Sequence, residues 1–111
     1  MVAKYHARKV IIDGYKFDSI REGDRYCELK MLEEAHVITG LEIHPAFMLQ
    51  EHFRHDGKME RAITYEADFR YEENGKVIVE DVKGMKTEVY KIKRKLFLKR
   101  YGEEVVFKEV R

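Results

Sequence analysis

Asn74-Gly75 stands between two runs of alternating strand-type residues, and this is the tightest local constraint the chain carries. Asn and Gly both tolerate the positive φ that a two-residue hairpin turn requires. Arg61 to Tyr71 and Lys76 to Lys83 are therefore expected to fold back on each other as an antiparallel hairpin. Side chains alternate along a strand, so Asp81 and Lys83 share one face and Val82 takes the other. Cross-strand pairing then brings Asp68 towards Asp81. Two carboxylates and an ammonium at one end of a sheet can hold a hard divalent cation and a phosphate group.

The remaining elements follow from turn, cap and periodicity signals. Val10 to Phe17 reads as a small hairpin turning at Asp13-Gly14. Ser19 and Glu22 form a capping box that opens a helix running to about His36, with Tyr26, Leu29, Leu32, Cys27, Met31 and Ala35 as a broad apolar stripe. Thr39-Gly40 closes it. Leu41 to Phe53 is a strand interrupted near Pro45, the only proline, and Arg54 to Glu60 is a polar turn. Thr87 caps a second helix to about Arg100, with Val89, Ile92 and Leu96 on one face, Phe97 beside it and Gly102 at its end. Glu104 to Val110 is a final strand. The order hairpin-α-β-β-β-α-β predicts an α/β fold, a mixed sheet flanked by helices, with a parallel crossover through the second helix.

At 111 residues the chain reads as one domain over 1–111, with residues 1–9 as a flexible basic arm. It is 39% charged and 44% hydrophobic, as a globular domain is. Cys27 alone offers no internal disulfide and fits a reducing compartment, so a cytoplasmic location is expected. No apolar run approaches the roughly 18 residues of a membrane span, and the N-terminus lacks a signal-like apolar stretch. Net charge is +1, but residues 83–101 hold eight Lys or Arg against Glu88 alone, a local +7 that leaves −6 elsewhere. That asymmetry fits a face meeting a polyanion, and equally the solvated side of an amphipathic helix.

Ala67-Asp68-Phe69 and Glu80-Asp81-Val82-Lys83 together resemble the site motif of the PD-(D/E)XK nuclease superfamily. The blocks Gly14 to Ser19, Arg61 to Tyr65, Ala67 to Tyr71 and Val77 to Gly84, continuing to Lys91, are similar to a family of small phage and prophage proteins of unknown function within it. Those are related to phage endonuclease I-like and archaeal Holliday-junction resolvases. The resemblance implies a restriction-endonuclease-like core, a homodimer, and cutting of branched DNA in phage recombination or DNA processing. It also implies that Glu22, on the first helix, joins the metal site and that the Val82 carbonyl is a further ligand. His44 departs from the family pattern, which has a glutamine there.

The chemistry follows from the residues as well. Phosphodiester hydrolysis needs an activated water and charge neutralisation on the phosphate. Magnesium takes oxygen ligands and keeps several waters, so Asp68 and Asp81 with the scissile phosphate suffice, manganese being the other candidate. Lys83 orients or deprotonates the water. The competing readings are a surface ion pair between Asp81 and Lys83, and a one-residue slip that gives Asp81's place to Glu80. Lys91, Lys95 and Lys99 form one row on the second helix beside Arg94, and with Lys86 and Thr87 they are expected to hold DNA phosphates. Lys4, Arg8 and Lys9 are expected to add an arm. His52 and His55 lack the further ligands that a structural zinc site requires. A DNA-binding recombination accessory protein without efficient catalysis is the alternative function.

Overall fold

The computed structural model describes residues 8–111, and the expectation for Lys4 lies outside them. The architecture is α/β. Strands β1 (Val10–Ile12) and β2 (Tyr15–Phe17) form the first hairpin, followed by helix α1 (Ile20–Glu34). Then come β3 (Thr39–Ile43), β4 (Ala46–Gln50), β5 (Phe53–His55), β6 (Lys58–Glu60), β7 (Ile63–Glu66), β8 (Phe69–Glu73) and β9 (Lys76–Val82). Helix α2 (Glu88–Tyr101) and strand β10 (Val106–Val110) complete the chain. The central sheet has the order β10-β9-β8-β3, with β9 and β10 parallel and the other pairs antiparallel.

Asn74 (φ 52°) and Gly75 (φ 77°) both adopt the left-handed conformation, which fixes the β8–β9 register with Glu73 opposite Lys76. From that register everything about the site's faces follows. Phe69, Tyr71 and Ile78 join Phe17, Tyr26, Leu29 and Ile38 in a core beneath α1. Val79 joins Tyr65, Ala67, Tyr90 and Phe97 in a second core beneath α2. The sheet is thus sandwiched between two helices, and the neighbours Glu80 and Asp81 are both buried on opposite sides of it.

Several expected elements differ. Residues 61–73 are not one strand: the chain breaks at Ala67-Asp68, so β7 pairs with β4 while β8 pairs with β9 and β3. The interruption expected near Pro45 does occur, as a matching break at His44-Pro45 that divides β3 from β4, and Pro45 contributes no N–H to a ladder. The expected polar turn at 54–60 is a third hairpin, β5–β6, turning at Asp56 (φ 49°) and Gly57 (φ 77°). All of residues 51–61 are exposed.

Helix α1 ends at Glu34, and Thr39-Gly40 opens β3 instead of closing the helix. Cys27, Met31 and Ala35 are exposed, because Tyr26 and Leu29 already fill the space above Phe69 and Tyr71. On α2 the buried residues are Tyr90 and Phe97, with Tyr101 packed beside them; Val89, Ile92 and Leu96 face outward. Aromatic bulk decides that orientation, since the Phe97 ring centroid lies 4.9 to 5.6 Å from those of Phe47, Tyr65, Tyr101 and Phe107. Gly102 caps α2 in a right-handed conformation, not a left-handed one.

Candidate active site

The two chain breaks face each other, and this is what assembles the site. The His44 N–H donates to the Asp68 carbonyl (2.9 Å), and the Ala67 N–H to the Pro45 carbonyl (3.0 Å). His44 sits at φ 55°, a left-handed conformation uncommon outside glycine and asparagine, and it turns the imidazole toward α1. Ser19 accepts from the Glu22 N–H (3.0 Å), as the capping box requires. The Glu22 carboxylate does not return to the cap, however. Buried, it lies 2.9 Å from His44 Nε2.

Glu22, His44 and Asp68 each bring one ligand atom within 4.8 Å of the others. Asp68 is held by the Asp68 N–H donating to the Glu80 carbonyl (3.0 Å), and its Oδ2 accepts from the Val82 N–H (2.6 Å). It lies between the two sides of the sheet and feels both. Burial first, then the Asp81 charge, push its carboxyl up to about 8, with Glu22 adding to the rise.

Asp81 is not part of the 4.8 Å set. It points toward α2, where the Tyr65 hydroxyl donates to Oδ2 and Lys83 Nζ lies 2.9 Å from Oδ1. Oδ1 is buried and has no hydrogen-bond partner, so its contact with Lys83 is an ion pair. Burial and the Asp81 charge hold Tyr65 far above the ordinary phenol range, so it remains a donor. Lys83 also lies over the Tyr90 ring at 4.3 Å, so the ammonium is fixed on two sides.

Glu80 is fully buried on the opposite face. Arg25 of α1 grips it with two bonds, Nε to Oε1 (2.8 Å) and Nη2 to Oε2 (2.7 Å), and the Tyr71 hydroxyl donates to Oε2. Asp81 and not Glu80 therefore shares a face with Lys83, and the one-residue slip does not occur.

The basic residues divide into two groups. Lys86 and Arg94 both reach Glu109, and Lys91 pairs with Glu88. Lys95 and Lys99 are exposed on α2, and among the described residues neither has a carboxylate in ion-pair range. Thr87 caps α2 through its side chain, and Arg8 and Lys9 are exposed outside any element. His55 pairs with Asp56 on the exposed β5–β6 hairpin, away from the carboxylates. His44 was not among the expected metal ligands; its sequence signals are its place before Pro45 and its departure from the glutamine of the resembling family.

A family described as "Protein of unknown function (DUF1064)" matches residues 2–110. The chain belongs to this family. No curated protein and no solved structure is significantly similar to this DUF1064 member. Among its described residues no helix is long and apolar enough to cross a membrane.

The raised carboxyl of Asp68 has a measurable consequence in the metal-free protein. A folded pKa above the unfolded 3.8 means the native state holds a proton that the unfolded chain has released. Stability should fall as pH rises from about 4 and level off above about 8. Asp68→Asn should flatten that slope in urea titrations run across pH 5 to 9; an unchanged slope would place its origin elsewhere.

Proposed function

We propose that this chain is a metal-dependent DNA endonuclease of the PD-(D/E)XK type, acting as a homodimer on branched DNA in phage or prophage DNA processing. The observation that carries the reading is the convergence of Glu22, His44 and Asp68 within 4.8 Å, beside Asp81 and its Lys83 partner. Four segments far apart in sequence supply these groups, and burial with the charges of Asp81 and Glu22 raises the proton affinity of Asp68. A divalent cation relieves that repulsion, and Asp81 Oδ1, buried and ion-paired with Lys83 but without a hydrogen bond, has acceptor capacity to offer it. The residues present therefore fit the ion.

Glu22, Asp68 and Asp81 would hold magnesium or manganese, with the Val82 carbonyl and His44 as further donors. When bound, the ion supplies Lewis acidity toward the phosphate and lowers the pKa of a water. Lys83, anchored by Asp81 and Tyr90, orients the attacking water and neutralises charge developing on the phosphate oxygens. Lys95 and Lys99 take backbone phosphates farther along the duplex, which positions DNA and reads no sequence.

An imidazole among oxygen donors shifts preference from magnesium toward manganese. Cleavage of a labelled four-way junction and a matched linear duplex should therefore be measured with magnesium, manganese or chelator. The expected result is junction cutting that is stronger with manganese, absent with chelator and lost in Asp81→Ala, with His44→Gln narrowing the gap between the two metals. Equal cutting of both substrates would remove branch selectivity. Binding under every metal without cutting would favour the accessory-protein reading, which the ion-paired basic residues around Glu109 also accommodate.

A further inference from the structure

Beside Lys83, a cavity of about 450 Å³ is lined by Arg21, Lys83, Gly84, Lys86 and Arg111. Every side chain with a formal charge in this lining is a cation. Lys83 is balanced by Asp81 and Lys86 by Glu109. Among the described residues, Arg21 and Arg111 have no carboxylate in ion-pair range. Two cations are therefore in excess around one opening.

Arg21 is the informative member. It occupies the first turn of α1, where a cation opposes the helix dipole, so helix formation alone does not account for it. One of its terminal nitrogens lies 3.7 Å from where a Cβ would stand on Gly84, so the guanidinium lies close over that backbone. A planar guanidinium beside an open backbone, with Arg111 in the same lining, suits the oxygens of a phosphate. The cavity shares Lys83 with the candidate active site, so its occupant sits next to whatever is bound there.

We propose that the Arg21–Lys83–Lys86–Arg111 cavity is a second phosphate subsite, taking a phosphate of the substrate strand beside the one being cut. That neighbourhood rests on the nuclease reading, while anion capture by the cavity does not. The phosphate has two possible sources, an internal diester or the terminal monoester of a strand end. Both offer the oxygens that two arginines recognise.

The test uses the full-length chain in chelator, so that nothing is cut. Anisotropy measures binding of labelled junctions and duplexes that differ only in carrying a 5′-phosphate, a 3′-phosphate or hydroxyl ends. Arg21→Ala and Arg111→Ala should each bind roughly tenfold more weakly, with a salt slope shallower by about one, and Arg21→Lys should keep most of the slope. Inorganic phosphate should shift the Arg21 side-chain resonance of the wild type. A loss confined to phosphorylated ends assigns the cavity to a terminal phosphate, and an equal loss for all ends assigns it to an internal diester. Wild-type binding and slopes in both alanine variants, with no phosphate-induced shift, would overturn the subsite. Parallel cleavage assays with metal keep the two ideas apart. Cutting without an Arg21 effect removes the subsite alone, and an Arg21 effect without cutting removes the nuclease alone.

Discussion

Arg25→Ala should destabilise the protein by about 3–5 kcal/mol, because it leaves the Glu80 carboxylate buried without its cation. A domain of this size has a total stability of about 5–15 kcal/mol, so the loss is a large share of it. The partner mutation is not equivalent. Arg25 keeps about a quarter of its side chain in solvent (23%) whereas Glu80 has none (0%), so Glu80→Gln strands a cation that water can still reach. The exposed Arg25–Glu28 contact adds little to either outcome. Arg25→Met with Glu80→Leu should recover most of the loss, since neither charge then remains inside. Urea midpoints for the two single variants and the double variant decide the matter; equal effects of Arg25→Ala and Glu80→Gln would refute the asymmetry.

This ion pair also fixes the site. Glu22 stands one helical turn before Arg25, and Asp81 follows Glu80 directly on β9. Arg25 gripping Glu80 therefore sets the distance of the Glu22 carboxylate from the Asp81 strand. Tyr71 completes the clamp, and its hydroxyl is pushed up by burial first and then by its bond to Glu80, so it stays a donor. A structural pair buried under α1 and a chemical pair open toward α2 are thus built from adjacent residues of one strand, separated only by its alternation.

How much of this was legible in the sequence depends on the range of each signal. Local signals served well: Asn74-Gly75, Asp13-Gly14, Ser19 and Thr87 each form the turn or cap expected of them, because neighbouring residues decide these features. Placing Asp81 and Lys83 on one face required only the period of a strand. Failures arose where distant packing chose between two plausible faces. The Val89, Ile92 and Leu96 spacing is as helical as that of Tyr90, Phe97 and Tyr101, and only the aromatic wall of Phe47, Tyr65 and Phe107 selects the latter. The break near Pro45 was expected from its missing N–H, but the matching break at Ala67-Asp68 was invisible, because hydrogen bonds with His44 and Pro45, distant in sequence, stabilise it. His44 entered the site by that route, and Arg21 and Arg111 met through chain closure alone.

Lys83→Ala should lower cleavage by roughly 10²–10⁴-fold, the range for losing a positioned acid–base or charge-stabilising group. Binding should weaken only severalfold, since Lys83 is one of several cations lining the same cavity. Lys83→Arg should not restore activity. The guanidinium is planar and bulkier, and it cannot occupy the compact position between Asp81 Oδ1 and the Tyr90 ring from which an ammonium both orients water and neutralises charge on the phosphate. The alanine variant also leaves Asp81 buried with Tyr65 as its remaining partner, so its melting temperature should drop without metal and rise on adding manganese. Single-turnover cleavage, anisotropy and thermal melts on the same preparations separate these effects. Wild-type-like cleavage by Lys83→Ala would remove Lys83 from the mechanism, and a melting temperature indifferent to manganese would remove the ion from Asp81.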